Sequence, residues 1–182
     1  WANRAYSLNI QTALTGISGD TAAINRAQQS SARYYQRVGR TETGDGLFST
    51  DYDPSRTSLN GYGFYARLAK ETGNWEFETI QNWRSPGFEA NDIGVLSRAD
   101  YKFMLANVVR QWTQPGSWYR SIWTNAGIQR QFNYEGDQTD VDYHAYGQVT
   151  FKNYWNMNVF DIYHPNYLDE RLTRGGPTVE HY

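Results

Sequence analysis

The 182-residue sequence contains no cysteine, which removes disulfide staples, thiolate catalysis and zinc-finger ligation from consideration. No apolar run approaches the roughly 18 residues of a membrane-spanning helix. Neither sign of charge dominates. The 17 Lys and Arg stand against 19 Asp and Glu, for a net charge of −2, so there is no basic footprint for nucleic acid. The chain opens at Trp1 with no methionine and no basic-then-apolar leader, and reads as a mature or trimmed piece of something longer. The three histidines, His144, His164 and His181, are dispersed; no metal or cofactor is expected of such a set.

Aromatic residues, in contrast, are abundant: 15 Tyr, 7 Trp and 8 Phe. Strands favour such residues, membrane interfaces collect Tyr and Trp, and sugar-binding faces are aromatic too. The mean hydropathy of −0.78 resembles that of a soluble chain. A membrane barrel hides its apolar half in that average, because lipid-facing and lumen-facing residues alternate.

Alternation with period 2 recurs along the chain. Tyr6, Leu8, Ile10 and Leu14 share a face; so do Tyr62, Phe64, Ala66 and Leu68; Trp75, Phe77 and Trp83 oppose Glu76, Glu78 and Asn82. A short strand is expected at SSARYYQRV, with Ser31, Arg33, Tyr35 and Arg37 on one side, and a small helix at TAAINRAQQ. In the next segment Tyr101, Phe103, Leu105 and Val109 are set against Arg98, Asp100, Lys102 and Arg110. Two further strands, from Trp118 to Phe132 and from Val141 to Lys152, precede an ambiguous one at YWNMNVFDIY. Tight connections at 71–74, 114–117 and Lys152-Asn153 alternate with long ones at 40–57, 85–97, 133–140 and from His164 onward. An up-and-down barrel has this rhythm, with short turns at one end and long loops at the other; the long connection at 15–29 breaks it. The expected fold is therefore all-β: an antiparallel up-and-down meander of about eight strands, a single segment over 1–182 that forms an arc of a transmembrane β-barrel. Closure within the chain is not expected, since RGGPTVEHY lacks a final alternating strand and the inward charges are too many for a narrow lumen.

The motifs SPGFEANDIG (85–94), SRADY (97–101), TSLNGYG (57–63) and RLTRGGP (171–177), in that arrangement with the strands, resemble a bacterial family of unknown function, domain-of-unknown-function family 5916. The resemblance covers the chain from its first strand to about Pro177. It implies a large C-terminal barrel similar to that of TonB-dependent receptors, an outer-membrane location, and an N-terminal domain similar to carbohydrate-binding family 9 that is missing here. It brings no catalytic residues.

On this reading the lumen-facing polar set is Glu76, Glu78, Asn82, Arg98, Asp100, Lys102, Arg110, Gln129, Asp142, His144, Gln148 and Lys152. The lipid-facing set is Tyr62, Phe64, Leu68, Tyr101, Phe103, Leu105, Tyr143, Val149 and Phe151. Trp75, Trp112, Trp118, Tyr154 and Trp155 flank the tight turns, where an interfacial girdle is preferred to a sugar-stacking platform. The expected partners are membrane lipid, other chains completing a barrel, and glycans at the outer loops. Glu76 and Glu78, about 6.6 Å apart along a strand, approach the separation of an inverting glycosidase, but charges paired with Arg67 or Lys102 explain them as well. Asp51 with Asp53, and Glu135, Asp137, Asp140 and Asp142, read as turn residues before calcium ligands. The GYGFYA stretch at 61–66 is followed by no helix, so its glycines fit close packing and not a phosphate loop. The expected role is a wall for passage or anchoring in the bacterial outer membrane and not an enzyme, with a soluble carbohydrate-binding β-domain and a glycosidase as alternatives.

Overall fold

The computed structural model describes residues 5–40, 46–91 and 96–181. Seven antiparallel strands form one sheet in sequence order: β1 (Tyr6–Ser18), β2 (Ser58–Lys70), β3 (Trp75–Arg84), β4 (Tyr101–Trp112), β5 (Tyr119–Phe132), β6 (Gln138–Phe151) and β7 (Asn156–Tyr163). A helix, α1 (Thr21–Gln28), lies between β1 and β2, and a small hairpin pairs β8 (Tyr167–Asp169) with β9 (Val179–His181). The architecture is an all-β meander. Among the described residues no closed barrel forms, and β1 and β7 are the sheet edges.

The strand expected at SSARYYQRV is absent. Residues 30–40 instead wind through successive turns, in which the Tyr34 N–H donates to Ser30, that of Arg37 to Tyr34, and that of Arg40 to Arg37. Arg33, Arg37 and Arg40 are spaced by four and three residues, which brings their guanidinium groups to one side of this winding path. Buried carboxylates there outweigh the local strand preference. The correction also removes the broken rhythm at 15–29, since the whole stretch from β1 to β2 is one long connection that holds α1. The helix expected at TAAINRAQQ is present, with the Asp20 side chain accepting from the Ala23 N–H at 2.6 Å as its N-cap. Long connections (19–57, 85–100 and the stretch after β7) and the shorter 133–137 thus lie at one end of the sheet, and the tight turns 71–74, 113–118 and 152–155 at the other.

Antiparallel partners share a face, so the register defines two faces directly. One row runs Leu8–Leu68–Thr79–Ala106–Ile128–Tyr143–Tyr163 across all seven strands. The row on the opposite face reads Ser7–Ala69–Glu78–Asn107–Gly127–His144–Ile162. One face is apolar and the other polar. Tyr101, Phe103 and Leu105 belong to the polar face, paired with Arg84, Asn82 and Ile80, while Lys102 and Arg110 lie on the apolar face opposite Trp83 and Trp75. The expected phase of β4 is therefore reversed.

The long connections fold back over the loop end of the polar face at β1 and β2. Ile24 of α1 and Tyr35 pack with Leu59 and Ile17, and the Glu89 N–H donates to Thr15 Oγ1 at 3.1 Å. Segment 85–91 crosses β2 so closely that a Cβ on Gly61 would come within 2.1 Å of the Phe88 backbone nitrogen, and one on Gly87 within 2.0 Å of the Asn60 carbonyl. The Phe88 ring lies over Gly63, so GYG serves this backbone approach. Gly61→Ala is expected to dislodge segment 85–91 and to cost about 1–3 kcal/mol. Gly147→Ala, whose Cβ meets open space, should change stability by less than about 0.5 kcal/mol. Native-state proteolysis of the segment and thermal unfolding measure both.

Candidate functional site

Three surfaces carry chemistry: the apolar face, the polar face and the cap at the loop end. On the apolar face, large side chains stay exposed, with no covering layer among the described residues. They include Leu8, Ile10 and Leu14 on β1, Phe77 on β3, Met104 and Val108 on β4, Tyr143 on β6, and Met157 and Val159 on β7; Leu14 is 80% exposed. Each such side chain gains about 1.5–3 kcal/mol when fully removed from water. Gln81 on this face accepts from Trp83 Nε1 at 3.3 Å; the charged residues of the face are Lys70, Lys102, Arg110 and Arg130 near strand ends and Asp161 on edge strand β7.

Aromatics and cations gather where the apolar face meets the tight turns. Arg110 stacks over Trp75 at 4.8 Å and over Trp112 at 5.0 Å. Trp118 packs on Phe151 and Tyr119. A bulge between Tyr119 and Ser121 inserts Arg120, which lies over the Tyr154 ring at 4.3 Å. Trp75, Trp118, Tyr154 and Trp155 are all more than half exposed. At the other end Lys102 sits over Tyr134 at 4.5 Å.

The polar face joins Glu76, Glu78, Asn82, Gln129, Asp142, His144 and Gln148 from the expected lumen set. Glu78 pairs with Arg67 Nε at 2.9 Å, and Arg67 also reaches Glu71 at 2.7 Å; Glu76 accepts from Gln111 at 3.0 Å. The Arg67 partner is therefore as expected, whereas Lys102 is on the other side of the sheet. His144 Nδ1 lies 3.1 Å from Asp142 Oδ1. Lys152 is exposed in the tight turn, and Arg98 and Asp100 precede β4 and join the cap. From the expected lipid-facing set, Tyr62, Phe64, Leu68, Tyr143, Val149 and Phe151 lie on the apolar face.

The cap is held by buried charges. Arg37 contacts both Glu170 and Glu135; Arg40 pairs with Asp100 at 2.5 Å; Arg98 reaches Glu170 at 3.1 Å and Thr139 at 3.0 Å; Arg33 pairs with Glu89 at 2.6 Å. Asp100 takes a left-handed φ of 55°, and its other oxygen accepts from the Tyr134 N–H. The cluster ties residues 33–40, 89, 98–100, 133–135 and 170 into one unit. Burial, with the nearby Asp100 charge, pushes the Glu135 carboxyl up against the pull of Arg40 and Arg37. Burial alone would raise Glu89 as well, but the Asn91 N–H and Arg33 outweigh it and hold that carboxyl below its usual range. Sequence reasoning missed this network because residues 31–38 read as a strand; the signal was the four-then-three spacing of the arginines. Asp53 accepts from the Ser55 N–H and hydroxyl, and Asp137 is bonded to Asn133, so both perform turn chemistry. Segments 41–45 and 92–95, which contain part of the expected 40–57 loop and of the SPGFEANDIG motif, lie outside the described residues.

The model of the family described as Domain of unknown function (DUF5916) matches residues 21–170. No curated protein matches, and no solved structure does.

Arg37→Ala leaves Glu135 and Glu170 buried without their shared cation, and is expected to cost about 3–5 kcal/mol in thermal or denaturant unfolding. Glu89, with a folded pKa below its unfolded value, contributes stability that is present above the ordinary glutamate value of about 4.3 and lost as pH falls through the folded value. Melting temperature followed from pH 6 to pH 2 should show this acid step, and Glu89→Gln should remove it.

Proposed function

We infer function from the premise that the chain belongs to the family DUF5916, and propose that it is an arc of the wall of a β-barrel in the bacterial outer membrane. Its apolar face meets lipid, its polar face bounds an aqueous interior, and its long loops cap the outer end. Its role is passage or anchoring, without catalysis. Further strands, from the rest of a longer chain or from another one, pair with the β1 and β7 edges.

The observation that carries this reading is the uncovered apolar face running across all seven strands. A soluble β-domain would bury such a face against a second sheet, and none covers it among the described residues. Strand length agrees. Six of the seven strands have 10 to 14 residues, where a tilted transmembrane strand needs about 9–11. The paired rows also stagger, since the row that begins at Tyr6, the first residue of β1, passes through Ala126 deep in β5. Such stagger is what strand tilt and barrel closure demand. The aromatic and cationic belt at the tight turns fits a headgroup interface.

Brominated lipids test the assignment of faces. In vesicles, single-tryptophan variants that retain Trp83 on the apolar face should be strongly quenched, and those that retain Trp123 on the polar face should be spared. Ala106→Lys, midway between Lys102 and Arg110 on the apolar face, should disfavour insertion by about 2–4 kcal/mol, whereas Gln11→Lys on the polar face should insert normally. A chain that is monodisperse without detergent and leaves Trp83 unquenched would falsify the reading.

A further inference from the structure

The polar face contains a feature that lining an aqueous space does not require. Trp123 on β5, Tyr146 on β6 and Phe160 on β7 form a continuous row of rings across three adjacent strands. Their centroids are separated by 5.3 Å and 6.5 Å and their planes inclined at 65° and 57°. The rings thus line a curved path. Phe160 is 63% exposed, an expensive position for a phenyl group on a wet surface unless something passes over it.

The row is flanked mainly by side-chain amides, and no Lys or Arg lies on the polar face of β5, β6 or β7. Tyr146 donates its hydroxyl proton to Asn158 Oδ1 at 2.8 Å, and the Asn125 amide donates to Asn107 Oδ1 at 2.7 Å. These bonds leave the remaining amide donors and acceptors turned to the open face. Gln148, which lies opposite both Trp123 and Asn158, is exposed, with no hydrogen-bond partner among the described residues. The polar face of β5 and of β7 carries no ionisable residue. On β6 the ionisable neighbours of Tyr146 are His144 and Asp142, 3.1 Å from each other on the loop side of the row, and on β2 and β3 Arg67, Glu71 and Glu78 neutralise one another.

From these observations we propose that the Trp123–Tyr146–Phe160 row is a binding track for a neutral oligosaccharide. The C–H faces of a pyranose carry slight positive charge and stack on the negative face of an aromatic ring. Hydroxyl groups are donors and acceptors at once, and the side-chain amides match them in both roles. An anionic sugar would meet no Lys or Arg here and would approach the Asp142 carboxylate, and a purely apolar ligand would leave the amides unpaired. The proposal rests on the reading that this face bounds water, and it names the class of solute handled there.

The test is isothermal titration of the full chain, in a detergent without a sugar headgroup, with maltohexaose, cellohexaose and laminarihexaose, and with oligogalacturonate as the anionic control. At least one neutral hexaose should bind, and the galacturonate should not. Trp123→Ala and Phe160→Ala should each weaken binding about tenfold, Trp123→Phe should recover most of it, and Trp118→Ala at the turn end of the apolar face should leave it unchanged. Circular dichroism identifies any variant that has lost its fold; for such a variant, protection of Trp123 from acrylamide by the hexaose in the single-tryptophan variant that retains Trp123 replaces the comparison. Binding by none of the neutral sugars, preference for the anionic one, or equal loss in Trp118→Ala overturns the track. Brominated-lipid quenching of Trp83 in the same preparation reports separately on the wall itself, so failure of the track and failure of the membrane reading are distinguishable.

Discussion

The fold depends on the pairing of backbone amides between strands whose apolar face has no second layer to lean on among the described residues. A sheet satisfies its own polar backbone internally, but each face still needs a medium. Here the register sorts side chains so that one face is mainly apolar from β1 to β7 and the other collects most of the polar groups. The sorting is stringent because the side-chain period is two, and a slip of one residue would exchange the faces of an entire strand. That single phase, maintained through six antiparallel pairings, joins seven stretches of modest sequence signal into two continuous surfaces.

The cap depends on the same sheet from the other direction. Its segments bury little hydrocarbon: Ile24, Tyr35 and Leu59 form a small apolar cluster, and the rest is held by guanidinium–carboxylate contacts from Arg33, Arg37, Arg40 and Arg98. Buried ion pairs add little net stability over apolar packing but make wrong arrangements costly. For segments distant in sequence, such as 33–40 and 170, that penalty is what specifies a single arrangement above the strands.

Much of this was legible in the residues. Seven of the eight expected strands exist, and the tight turns are in place. β4 was misread for an instructive reason. In YKFMLANVV both faces are apolar at mid-strand, since Phe103, Leu105 and Val109 alternate with Met104, Ala106 and Val108, and hydrophobicity alone leaves the phase undetermined. Lys102 and Arg110 then set it wrongly, because a long cationic side chain near a strand end can lie on an apolar face and extend its charge away. The strand expected at 31–38 failed differently. Its alternation of Arg and Tyr is real, but its partners are carboxylates from 89, 100, 135 and 170, which no local pattern reveals.

Those same two cations on β4 have a geometric consequence. Lys102 and Arg110 are the basic residues on the apolar side of that strand, eight residues apart, which at about 3.3 Å per residue is roughly 26 Å of extended chain. On the proposed reading, and inclined as barrel strands are, they would bracket a hydrocarbon slab somewhat thinner than that length. A single strand would then act as a depth gauge, fixing how far the wall sinks and how high the cap stands above the lipid.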